Sequence, residues 1–162
     1  MTGLRTAMIA AALQMVCAAG MAGESAATDD LHLSAATTAL LQAEMREIAG
    51  ASQALVYAIA SGDWHAIERI SDQIRASYVM EKELSAAQRE ELEAGLPGHF
   101  KALDAEFHAR GEKLGSAAAV RDPELVTYQL SRMLETCVSC HSRYARQRFP
   151  GFAPPQQDHH QH

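Results

Sequence analysis

Apolar positions recur along most of this chain at helical spacing, in steps of three, four and seven. From Ser34 to Ala60 they are Leu40, Leu41, Met45, Ile48, Leu55, Val56 and Ile59, which predicts a long amphipathic helix. Ser61-Gly62 ends it, and Asp63 caps a second helix whose stripe runs Trp64, Ile67, Ile70, Ile74 and Tyr78 before fading near Leu84. Ser85 with Gln88 three residues on predicts a capping box and a short acidic helix closed by Gly95 and Pro97. A third long helix follows with Phe100, Leu103, Phe107, Leu114 and Ala118 on one side. Asp122 and Pro123 open a fourth, expected to continue through Leu125, Tyr128, Met133, Cys137, Cys140 and Tyr144 to Phe149, where Pro150-Gly151 stops it. There is no strand pattern, and each long helix has one apolar stripe to bury. The simplest packing is all-α, an up-down antiparallel four-helix bundle.

The N-terminal stretch does not belong to that pattern. Arg5, the apolar run from Ala7 to Val16, and the small residues Ala18, Ala19, Gly20 and Ala22 are the parts of a secretory signal peptide. Cleavage after Ala22 or after Ala27 satisfies the small-x-small rule, and the mature protein is expected in the periplasm. The run is too short to span a bilayer, and no later stretch approaches the ~20 apolar residues a span requires. We therefore take residues 1–27 as signal, 28–152 as one domain and 153–162 as a disordered tail. The tail carries His159, His160 and His162, which could hold copper or nickel loosely. With 162 residues, 48% of them apolar, the chain suits one compact domain. Its 14 basic against 20 acidic residues, net −6, argue against nucleic acid as a partner.

Loss of the signal removes Cys17 and leaves Cys137 and Cys140, followed directly by His141. Three kinds of chemistry use cysteines at this spacing. Two thiols separated by two residues can each add to one vinyl group of a haem while the next residue, an imidazole, is carried under the iron. A thioredoxin-type redox pair belongs at a helix N-terminus in a strand-helix-strand setting, and no strand pattern precedes Cys137. A zinc site needs further ligands at set spacing, whereas His32, His65, His99 and His108 are scattered singly. One covalently held haem c is the expected cofactor.

A Cys-x-x-Cys-His motif on the last helix of an exported chain this long resembles the cytochrome c-prime superfamily. The specific part of the likeness is the segment from Glu135 to Tyr144, with Tyr144 three residues after His141. Ala145 departs from the family pattern, which commonly has a basic residue there; Arg143, Arg146 and Arg148 lie nearby. The resemblance implies a four-helix bundle with haem on the C-terminal helix, Cys137 and Cys140 as thioether anchors and His141 as proximal iron ligand. It also implies that the first helix faces the distal side, which makes Met45 the distal candidate; His108, beside Phe107, is the less favoured one. Some family members pair through their first helices, so a homodimer of that kind is an expectation here.

The expected function is carriage of single electrons between redox partner proteins, without enzymatic activity. The alternative is binding of nitric oxide or carbon monoxide at five-coordinate iron. A thioether on the distal side favours the first and an empty distal side the second. Glu81, Glu83, Glu90, Glu91 and Glu93 are expected to form a solvated acidic connection. Arg132, Arg143, Arg146 and Arg148 could pair with haem propionates, steer an acidic partner or simply stay solvated. Trp64 is expected to anchor packing.

Overall fold

The structure, a computed structural model, describes residues 31–152; the signal peptide and the histidine-bearing tail assigned above lie outside them. Those residues form six α-helices and a short 3-10 turn, with no strand among them. The elements are α1 (Ala35–Ser61), α2 (Trp64–Ala76), α3 (Met80–Glu83), α4 (Ala86–Gly95), α5 (Gly98–Ala119), α6 (Pro123–Tyr144) and a turn at Pro150–Phe152. The predicted boundaries hold where caps define them. Gly62 closes α1 in the left-handed conformation at φ 67°, Asp63 accepts from the Ala66 amide at 3.0 Å, and Ser85 with Gln88 forms the capping box. Asp122 accepts from the Leu125 amide at 2.9 Å, one residue before Pro123.

Two boundaries differ from expectation. The second helix stops at Ala76, because Ser77 adopts φ 60° and leaves Tyr78 in the following turn. The fourth long helix ends at Tyr144 instead of reaching Phe149. Beyond it the amides of Arg148 and Phe149 both bond to the Ala145 carbonyl, folding the chain back.

One core joins the four long helices. Leu55, Ile67, Ile74, Leu114, Val126 and Met133 are its fully buried large side chains, and Trp64 packs against it as expected. α5 packs extensively on both α2 and α6, whereas α1 rests mainly on α2 and touches α6 sparsely. Gly111 and Gly115 let α2 approach α5. A Cβ at 111 would lie 2.7 Å from Ile74 Cγ2, and one at 115 would lie 3.1 Å from Ser71 Cβ.

The buried stripe of α1 is Thr37, Glu44, Ile48, Ala51, Leu55 and Ala58. Glu44, only 4% exposed, gathers the amides of Tyr78 (2.9 Å), Val79 and Met80 (3.1 Å) and so fastens α1 to the turn after α2. Burial alone would raise the Glu44 pKa, but these bonds and the Ser77 hydroxyl bring it below the usual carboxylate value. Glu91, expected to be a solvated charge, instead accepts from the Ser34 amide and from the Ser34 and Thr37 hydroxyls, tying α4 to the start of α1. The Thr37 bond, then those from Ser34, lower its pKa. No helix among the described residues is long and apolar enough to cross a membrane.

Candidate functional site

Cys137, Cys140 and His141 lie in the last two turns of α6. A step of three residues is close to one helical turn, so the two cysteines share a face, and Cys137 packs against the core. Both thiols are free and half-buried. Burial raises both thiol pKa values, Cys140 to about 11, with Cys137 and Asp104 adding to the effect at Cys140. Their place at the C-terminal end of a helix, where the backbone dipole is negative, acts in the same direction. A catalytic redox pair requires the opposite, a thiolate stabilised by a helix N-terminus.

His141 is held differently from the other histidines among the described residues. Its ring stacks on Phe149 with centroids 4.6 Å apart and planes 19° apart. Burial, and then the charge of Arg148, lower its pKa, so the neutral imidazole with a free lone pair is favoured. Tyr144 packs edge-on against Phe100 at 5.2 Å, and its hydroxyl lies 3.2 Å from His99 Nδ1, which anchors the end of α6 to the start of α5.

Among the described residues no group of three or more His, Cys, Asp or Glu side chains could enclose a metal ion unaided. The donor set nevertheless fits a haem that brings its own four equatorial nitrogens. Two free thiols on one face would form the covalent bonds, and a neutral imidazole next to them would supply an axial nitrogen.

Met45 and His108 stand apart from this triplet in character. Met45 lies at the edge of the buried stripe of α1, next to Glu44, and is 38% exposed; the apolar stripe read from the sequence runs slightly to one side of the buried one. His108 has both nitrogens engaged, Nδ1 with the Ile74 carbonyl at 2.6 Å and Nε2 facing Asp104 at 3.7 Å. The Asp104 bond raises its pKa against the opposing effect of burial, with further help from the Ile74 carbonyl and Glu44. To ligate iron, His108 would have to lose a proton and give up one of these partners.

The four arginines separate as well. Arg132 pairs with Glu135, and Arg146 Nε donates to the Ser142 carbonyl. Arg143 and Arg148 are exposed and lie over the rings of Tyr144 (5.8 Å) and Phe149 (6.0 Å). Glu44 and the stacking role of Phe149 were missed in the sequence. Glu44 sits four residues before Ile48, a position that signals burial, but no local pattern announces its amide partners.

Comparisons with protein families, curated proteins and solved structures find no match to this chain.

Proposed function

We propose that the protein is a periplasmic monohaem c-type cytochrome that carries single electrons between redox partner proteins. In this proposal the four long helices run up and down and the haem sits against α6, as in the cytochrome c-prime superfamily. The observation that carries the proposal is the triplet itself: two free, protonation-prone thiols on one face of α6, beside a histidine whose environment favours the neutral ring. Bound haem would supply an iron that changes oxidation state by one electron. The chain's own residues do the rest. Cys137 and Cys140 would tether the cofactor, His141 would offer its iron a nitrogen ligand, and the core residues beside Cys137 would keep water from it. Arg143 and Arg148 put positive charge on the surface near His141, suited to an acidic partner in an otherwise acidic protein.

The test is expression with haem-attachment machinery, followed by acid-acetone extraction and intact mass. Haem should remain on the chain and add its mass, and Cys137→Ala with Cys140→Ala should abolish attachment and loosen the bundle. Complete loss of haem to the solvent from the unmutated chain would overturn the proposal.

A further inference from the structure

We propose that Phe149 is a positioning residue for His141: the turn after α6 folds back to lay its ring flat on the imidazole and fix the plane in which that histidine meets its cofactor. The proposal rests on the haem function proposed above.

Several features of the turn point to this role. The chain leaves α6 at Tyr144, and Ala145 then serves as a pivot. Its amide bonds to the His141 carbonyl at 3.1 Å, while its own carbonyl accepts from Arg148 at 3.0 Å and Phe149 at 2.9 Å. The Phe152 amide bonds to the Phe149 carbonyl at 3.1 Å, so hydrogen bonds hold the segment on both sides of Phe149. The Phe149 ring is thereby delivered to His141, with Phe152 edge-on to it at 6.5 Å and the Arg148 guanidinium over it.

Core burial does not account for this arrangement. Phe149 is 36% exposed and is not part of the core. Nor is a flat stack the usual outcome in this molecule: Phe100–Tyr144 and Phe107–His108 meet at 70° and 76°.

The stack also does work that another group commonly does. A metal-bound histidine is ordinarily oriented by a hydrogen bond from its second nitrogen to a carbonyl or carboxylate. Among the described residues neither ring nitrogen of His141 has such a bond, whereas His108 has its Nδ1 partner in Ile74. The lone pair and N–H of an imidazole lie in the ring plane, so a partner on the face restrains the plane without competing for either nitrogen. Phe149 can therefore hold His141 still and leave it able to ligate.

The experiment uses the full, haem-loaded chain with Phe149→Ala, Phe149→Leu and Phe149→Tyr. Nitric oxide is added to the reduced protein, and the rate at which His141 leaves the iron is read from the conversion of the six-coordinate to the five-coordinate nitrosyl absorption. An aromatic pair's stacking energy corresponds to a change of roughly 2- to 10-fold. Displacement should speed up by about that factor in the Ala and Leu variants and stay at the unmutated rate in the Tyr variant, which keeps the stack. Thermal melting of each variant separates loosened folding from loosened histidine. Equal displacement rates in all four proteins, or no displacement in any, would overturn the role of Phe149 even if melting changed. An unmutated chain that carries no haem would overturn the function proposed above, and with it this role.

Discussion

Where α2 crosses α5, Gly111 and Gly115 bring the helices so close that an added Cβ would meet Ile74 or Ser71. On the flanks of α1 and α6 the reverse holds: Met45, Val56, Leu134 and Val138 remain exposed, and the two helices touch only sparsely. The first region has no room for anything but its own side chains. The second has apolar surface that the other described residues do not cover, part of it on the helix that carries Cys137, Cys140 and His141. A flat apolar cofactor tethered there would bury such surface at about 25 cal/mol per Å², so uneven packing of this kind suits a chain that completes itself with a haem.

The largest expected effect tests that contrast directly. Leu114 is fully buried between α5 and its neighbours, and Leu114→Ala should cost about 2–5 kcal/mol in urea unfolding of the cofactor-free chain. Leu134→Ala, on exposed surface, should cost less than about 0.5 kcal/mol under the same conditions. Comparable losses would mean that the α6 flank is as well packed as the α5 core.

Glu44 comes next, because it fastens α1 to the turn after α2. Glu44→Gln keeps the shape but removes the charge that three amides share, and should cost about 1–3 kcal/mol at neutral pH. The sign with pH follows from its lowered folded pKa. Its stabilisation is complete above the ordinary value of 4.5 and is lost as pH falls from there through the folded value. Acid unfolding of Glu44→Gln should therefore show a shallower decline over that range than the unmutated chain. Identical slopes would mean that the amides find other partners.

The elements differ in how far the sequence reveals them, and the reason is the range of the interactions. Helix starts at Asp63, Ser85 and Asp122 depend on bonds three residues long, so the sequence displays them. The stop at Ala76 comes with the positive φ of Ser77, and the amides beyond it are held by Glu44, more than thirty residues away; the apolar step from Ile74 to Tyr78 hides it. The Cys137–His141 triplet is legible because its chemistry is set by spacing along one helix. Phe149 is the last apolar residue before Pro150-Gly151 and so reads as the end of α6; only the reversal at Ala145 reveals its stack on His141. The sequence places Met45 on the apolar stripe of α1, whereas the buried line passes through the polar residues Thr37 and Glu44 before it reaches Ile48.

The close α2–α5 crossing can be probed more gently. Gly111→Ala should gain up to ~1 kcal/mol of helix propensity but force Ile74 out of its place, at a cost of about 1–3 kcal/mol. The expected net is a loss of about 1 kcal/mol, seen as a lower urea midpoint with an unchanged slope. Net stabilisation would show that Ile74 moves freely and that the crossing is less rigid than its geometry suggests.

Met45→Ala should have the smallest effect on folding, under about 0.5 kcal/mol in the cofactor-free chain, because the side chain lies at the edge of the buried stripe and is partly in solvent. Its effect on the loaded protein separates the two functions that a c-type haem here could serve. If Met45 supplies the distal sulfur, the unmutated protein is low-spin, with the weak long-wavelength ferric band of thioether ligation, and Met45→Ala becomes high-spin and takes up carbon monoxide quickly when reduced. An unmutated protein that is already high-spin and binds carbon monoxide at once would make Met45 an edge residue and put gas binding ahead of electron transfer. A low-spin spectrum that survives Met45→Ala but not His108→Ala would point to the histidine. That outcome requires His108 to leave the Ile74 carbonyl or turn away from Asp104, and it should bring a lower potential, since imidazole favours ferric iron more than a thioether does.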